Sequence, residues 1–246
     1  MRLYIESALA IRYPDYIMYT VIATGIDNQG DSSEALTAAL RAAEQAILNN
    51  PDLAHLKANP RIAAWEKAFQ EFGADPAVTK PSLEALLHRV LSGNETPSIN
   101  KVVDILNLVS LSHLVPSGGD DLAKIDGDFG IRYSTGLEQF VPINSKDEEQ
   151  PVPGEVIYAD EQKVLCRCWI WRQSEHSKIT KRSRVVAVNV DVMPPATPEE
   201  GKAAAEEIAR LIETHCGGTT RIICIGGETL SVPLEPEISA VVARER

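Results

Sequence analysis

The run Val186-Ala187-Val188-Asn189-Val190-Asp191-Val192 leaves little choice but a β-strand. Its valines alternate with Ala187, Asn189 and Asp191, a period of two that places every valine on one face. The pattern predicts a half-buried strand, with Asn189 and Asp191 on the side away from the core. Shortly after it, Thr197-Pro198-Glu199-Glu200 has the form of a capping box with proline inside it. The helix it opens is predicted to run to about His215, and Gly217-Gly218 can end it in left-handed backbone. Arg221 to Ile225 reads as a last strand, and the remaining tail as a short extension.

The first half is mostly helical. Ile17 to Ile26 is rich in β-branched and aromatic residues and predicts a strand. Asp31 with Glu34 looks like a helix start, and Asn49-Asn50-Pro51 a stop near Leu48. Asn59-Pro60 opens a helix on which Ile62, Trp65, Phe69 and Phe72 share a face. A short helix follows Pro81-Ser82, with Leu83, Leu86, Leu87 and Val90 as its apolar stripe. Pro97-Ser98 is expected to cap a fourth helix, Ile99 to about His113, apolar on most sides. From Val115 to Val192 the texture changes to short extended runs and turns. Ile131 to Tyr133, Gln139 to Ile143 and Val156 to Tyr158 are short strand candidates, Val164 to Arg172 a stronger one, and Ser145 to Gly154 a surface loop. With no repeat and no long linker, residues 1–246 are expected to form one α+β domain, a mixed β-sheet core flanked by helices.

Charge limits the partners. A net charge of −11 over 246 residues argues against tight, non-specific DNA binding, which needs Lys and Arg for the phosphates. No DNA partner is expected. No run is long enough for a membrane span, and MRLYIESALA lacks a signal-peptide core. A cytoplasmic protein with no membrane partner is expected. The four cysteines, Cys166, Cys168, Cys216 and Cys224, include no zinc-type C-x-x-C pair. They read as reduced thiols, with no metal and no cofactor implied.

Two segments could carry chemistry. On the helix from Ile99 to about His113, Asn100, Asp104 and Asn107 are spaced i, i+4 and i+7 and share a face. They either tie the helix to a neighbouring loop or line a pocket floor. Directly after it come Gly118 and Gly119, where backbone can approach a ligand closely or simply turn tightly. If Val164 to Gln173 is one strand, Arg167, Trp169, Trp171 and Gln173 point one way, and Cys166, Cys168, Ile170 and Arg172 the other. Two tryptophans on one face need a cover, whether another part of the protein, an aromatic amino acid or a base; stacking is worth about 1–3 kcal/mol per base. From Cys166 to Arg184 six basic residues stand against Glu175 alone. Lys178, Lys181, Arg182 and Arg184 are thus candidate RNA phosphate contacts on an otherwise acidic chain.

Read together, RIAAWEKAFQEFGADP, KPSLEALLHRVLSG, PSINKVVDILNLVSLSHLVPSGGDDLAKIDGD and GEVIYADEQKVLCRCWIWRQSEHSKIT resemble freestanding B3/B4-domain proteins. These are relatives of the B3/B4 module in the β subunit of bacterial phenylalanyl-tRNA synthetase, which hydrolyses tyrosine wrongly attached to the phenylalanine tRNA. The resemblance covers about residues 61–192, with 1–60 and 193–246 as looser flanks. It implies tRNA or aminoacyl-tRNA, or a free amino acid, as partner, and editing in trans as activity. The editing-site histidine of a Pro-Leu-His-Ala-Phe-Asp run aligns with Gly118 of Pro116-Ser117-Gly118-Gly119-Asp120-Asp121. An editing-site glutamate aligns approximately with Arg172. Both polar groups are thus replaced. Asn100 and Arg172 are the candidate catalytic residues, and a non-catalytic binding module or a small-molecule enzyme on the same scaffold are the alternatives.

Overall fold

A computed structural model describes residues 1–246, the side chain of Glu237 excepted. The fold is α+β. One sheet is antiparallel, with β9 (Thr219–Gly226), β2 (Ile17–Thr24), β8 (Val185–Val192) and β3 (Ser117–Asp121) side by side in that order. The second has the order β10 (Ser231–Pro233), β1 (Arg2–Ile5), β4 (Phe129–Tyr133), β5 (Val156–Ala159), β6 (Val164–Arg167) and β7 (Arg172–Gln173). Only β1 and β4 are parallel within it.

The four-stranded sheet is covered on both faces. One face, with Tyr19, Val21 and the β8 valines 186, 188, 190 and 192, packs on α2 (Glu34–Leu48), α4 (Ser82–Leu91), α5 (Lys101–His113) and α6 (Pro198–Cys216). The other, with Met18, Ile22, Val185 and Ala187, packs on Leu3, Ile5, Phe129, Ile131 and Leu165 of the second sheet. Strand β8 is therefore buried along its whole length, not half-buried. The valine period is as read, but a second sheet stands where solvent was expected, so Asn189 and Asp191 lie inside.

Local signals set most of the ends. Thr197 and Glu200 form the full capping box of α6. Asn59 caps α3 (Pro60–Glu71) through Arg61 N–H. Two caps differ from expectation. Ser33, not Asp31, caps α2, by accepting from Leu36 N–H. Asn100, not Ser98, caps α5, by accepting from Val103 N–H. In both cases the cap stands three residues before the bonded N–H, within reach of its side-chain oxygen, whereas Asp31 and Ser98 stand five before. The C-terminal tail is not a loose extension: β10 pairs with β1, and α7 (Pro236–Glu245) places Ile238 and Val242 in the inter-sheet core.

The parallel β1–β4 contact sets a sharp steric limit. A Cβ on Gly130 would stand 1.9 Å from the Tyr4 carbonyl oxygen, which belongs to backbone and cannot swing aside. Gly130→Ala should therefore cost about 3 kcal/mol or more of stability. A chemical-denaturation midpoint unchanged from wild type would show that the two strands can separate at no cost.

Candidate functional site

The site grows from a break in one predicted strand. Val164 to Gln173 is not continuous: β6 and β7 form a hairpin, with Cys168 and Trp169 at its turn at φ of 44° and 66°. Left-handed backbone at a bulky residue is strained and persists only where its surroundings hold it. Here the Trp169 ring is clasped edge-on by Tyr13, Tyr16 and Trp65, at centroid distances of 5.0, 4.8 and 5.3 Å. Trp169 is thus a core residue covered partly by α3, whereas Trp171 stays half-buried. The two tryptophans do not form one exposed platform, because the turn separates them.

Between the sheets lies a cavity of about 170 Å³, lined among others by Ser117, Asp120, Tyr158, Trp169, Gln173 and Asp191. Asp120 Oδ1 accepts from Gln173 Nε2 and from Ser177 Oγ, both at 2.5 Å. Asp191 Oδ1 accepts from Tyr16 OH at 2.5 Å. Neighbouring Asn189 accepts from Thr20 Oγ1 at 2.7 Å. Burial pushes the Asp120 carboxyl up to about 7, against the pull of the Ser177 and Gln173 bonds. Burial likewise pushes Asp191 up to about 7, against the bond from Tyr16. Desolvation also raises the Tyr158 hydroxyl and the Cys166 thiol far above their ordinary values, so both remain neutral. Three buried polar atoms of the lining have no hydrogen-bond partner: Ser117 Oγ, Tyr158 OH and Trp169 Nε1.

A larger groove of about 440 Å³ lies on the outer side of β3 and shares Ser117, Gly118, Gly119 and Gln173 with the inner cavity. Its far wall includes Asn100, Asn107, Lys178 and Lys181. Strand β3 is therefore the partition between two compartments. The two glycines differ. A Cβ on Gly119 would come within 2.9 Å of the Ala187 carbonyl oxygen, so this glycine lets β3 close on β8. A Cβ on Gly118 would meet nothing within 4 Å. The glycines thus lie in an edge strand, where the sequence suggested a turn. Asp121 N–H donates outward to the Ser177 carbonyl at 2.8 Å. Strand alternation turns the Gly119 N–H to that same edge, along which Asp120 bridges Lys178.

The remaining sequence candidates fall in three groups. Gly118, Gly119, Trp169, Trp171 and Gln173 line the inner cavity, and Asn100 and Asn107 the outer groove. Asn100 is already engaged: besides capping α5 it accepts from Asn28 and donates to the Ile179 carbonyl. Asp104 faces away, holding Ile99 N–H, Ser98 and Ser32. Arg167 and Arg172 line neither compartment. Arg167 grips buried Glu155 through two nitrogens, at 2.9 and 2.7 Å. Arg172 reaches toward Glu149 at 3.4 Å and lies over the Trp171 ring. Of the basic run, Lys178 pairs with Glu175, Lys181 with Asp31 and Arg184 with Glu245, while Arg182 is exposed. Such surface pairs are worth at most about 1 kcal/mol and yield to a better anion.

Sequence reasoning missed Tyr158, Asn189 and Asp191, and set Asp120 aside. The available signal was polar residues at alternate positions of a very apolar strand, which reads equally well as a wet face. Among the described residues one further cluster has metal-ligand types, Asp126, Asp160 and His176. Lys163 Nζ already stands 3.7 Å from Asp126 and 3.1 Å from His176 Nε2.

Comparison with known proteins bears on this arrangement. The B3/4 domain family matches residues 64–217, well over half of the chain. The phenylalanine–tRNA ligase β subunit of Chromobacterium violaceum is 33% identical over 111 residues, 45% of this chain and 14% of that protein. The same subunit of Vibrio vulnificus is 23% identical over 208 residues, 79% of this chain and 26% of that one. An N-terminal fragment of the phenylalanyl-tRNA synthetase β subunit from Pyrococcus horikoshii aligns with a TM-score of 0.45 at 14% identity, over 89% of this chain and 50% of that one. The chain spans about a quarter or less of the length of these curated relatives. No helix among the described residues is long and apolar enough to cross a membrane.

Proposed function

The chain belongs to the B3/4 domain family, and on that premise we propose that it acts on the aminoacyl end of a charged tRNA and hydrolyses the ester of a mischarged species in trans. The observation that carries this reading is the pair of compartments on either side of Gly118-Gly119. A charged 3′ end has two unlike parts joined by an ester. The smaller inner cavity, walled by Trp169, Ile170 and Trp171, suits an amino-acid side chain. The outer groove, lined largely by apolar Ile99, Val103, Leu106 and Ile179 and edged by Lys178 and Lys181, suits a nucleoside base with its phosphate at the rim. The ester then lies at the partition. There the outward Gly119 N–H can stabilise the oxyanion as water attacks the acyl carbon and the bond to the ribose oxygen breaks. The ester is already activated, so positioning can do most of the work without a covalent nucleophile.

One observation favours a second reading, in which the chain binds this end without turnover. Asn100 already has its side-chain oxygen and one N–H engaged in structure, and Arg172 lies outside both compartments.

The test is release of labelled amino acid from a panel of correctly and wrongly charged tRNAs. Wild type should release amino acid selectively from a mischarged species. Gly118→Leu fills open space at the partition and should reduce release at least about ten-fold while the protein stays folded. Arg172→Ala should leave the rate within about two-fold, since its guanidinium faces Glu149. No release from any species by folded wild type, with the charged end still bound, would select the binding reading.

A further inference from the structure

The two carboxylates inside the inner cavity are unusual. Asp120 is 1% exposed and Asp191 6%. A buried carboxylate is normally kept by a cation or by a full set of hydrogen bonds. Neither has a cation: among the described residues no Lys, Arg or His forms an ion pair with Asp120 or Asp191. Lys124, four residues after Asp120, reaches Asp121 instead, and Lys178, which bridges Asp120 through backbone, turns its side chain to Glu175. Each has one oxygen held by neutral donors, Gln173 and Ser177 on Asp120 and Tyr16 on Asp191. No hydrogen bond among the described residues reaches Oδ2 of either.

Both acids line one cavity, together with the Tyr158 hydroxyl, which is 4% exposed and has no partner. Two acceptors with spare capacity and a hydroxyl that can accept as well therefore surround space not filled by protein. The rest of the lining includes Ile131, Trp169, Ile170 and Trp171. That wall suits an aliphatic stem, and a tryptophan face attracts a cation as well. The volume is close to that of a cavity known to admit a benzene-sized group. A phenol, the side chain expected from the resemblance, would offer one proton to two carboxylates. An anion would be repelled by both.

We propose that the inner cavity is a cation site, taking an ammonium or guanidinium on an aliphatic stem at the Asp120 or the Asp191 carboxylate, so that the amino acid recognised is a basic one. This rests on the aminoacyl reading for the identity of the ligand, but the cation site itself does not.

The experiment uses the wild-type chain and a set of non-hydrolysable 3′-aminoacylamino-3′-deoxyadenosines carrying lysyl, norleucyl or tyrosyl groups, titrated by calorimetry. Norleucyl keeps most of the aliphatic stem and lacks the charge. In parallel, n-butylammonium and 1-butanol probe the cavity through the melting temperature, without any nucleoside. The lysyl compound should bind at least about ten-fold more tightly than the norleucyl one. One of Asp191→Asn and Asp120→Asn should shrink that preference to about three-fold or less, and two folded variants that both keep it would overturn the cation site. Equal binding of all three, or preference for tyrosyl, overturns the cation site and leaves the aminoacyl reading standing. If none of the three binds but butylammonium raises the melting temperature and butanol does not, the cation site stands and the aminoacyl reading falls. No response to any of the five compounds overturns both.

Discussion

Arg167→Leu should lower the unfolding free energy by about 3–5 kcal/mol, the usual cost of breaking a buried ion pair by removing one partner. The guanidinium binds Glu155 through Nε at 2.9 Å and Nη2 at 2.7 Å, reaches Glu149 at 3.2 Å, and lies over the rings of Phe140 and Trp171. Glu155 is 4% exposed and also accepts from Val152 and Cys168 N–H. Burial opposes its ionisation, yet the Arg167 bonds and those two N–H groups outweigh burial and hold the carboxyl below its ordinary range. Without Arg167 a charged carboxylate is left among apolar neighbours at the entry to the strained Cys168–Trp169 turn. For a chain of this size the loss corresponds to a fall of roughly 10 °C in melting temperature. The companion Arg167→Leu/Glu155→Leu should cost less than the single change, because no unpaired charge remains. A loss under about 1 kcal/mol for Arg167→Leu would instead mean that the pair is solvated and the guanidinium free for a ligand.

Stability should also rise as pH falls from 8 to about 5.5, opposite to the trend of acid-labile proteins. Asp120 and Asp191 both sit near 7 in the folded chain and near 4 when unfolded. At pH 8 both are ionised in both states, and the folded state bears the desolvation cost. Between pH 7 and about 4 only the folded state takes up the two protons, so folding is favoured increasingly through that window. The expected gain by pH 5.5 is on the order of 2 kcal/mol for each group. The groups beside them, Tyr16, Tyr158 and Cys166, are raised well above this range and stay neutral throughout. Glu138, Glu155 and Glu200 are depressed and work the other way, but only as pH falls below their unfolded value near 4.3. Denaturant midpoints at pH 8 and 5.5 measure the slope. Asp120→Asn/Asp191→Asn should flatten it. A wild-type slope that is flat or reversed would show that these carboxyls are solvated, which would also remove the physical basis of the cation site.

What the sequence determined by itself is whatever depends on neighbours a few residues away. The α6 capping box, the Asn59-Pro60 start of α3, the valine period of β8 and the apolar stripe of α4 are all written within one or two turns of chain, and each is where local rules place it. The family resemblance supported the α+β architecture already read from the run of elements, because the order of several motifs carries more information than any one. The tertiary structure decided which side of each element is wet. The second sheet is assembled from segments as far apart as Arg2–Ile5 and Ser231–Pro233, and no local pattern announces that it will close over β8. That closure turns Asn189 and Asp191 from an apparent solvent face into the lining of a cavity. It places Asp120 in one cavity with Trp169 of the hairpin turn, while Arg167 meets its counter-ions Glu155 and Glu149 from segments of the second sheet itself. Hydrogen-bond caps and side-chain periods act over a few ångströms along the chain, whereas desolvation of a carboxylate depends on what arrives from elsewhere in space.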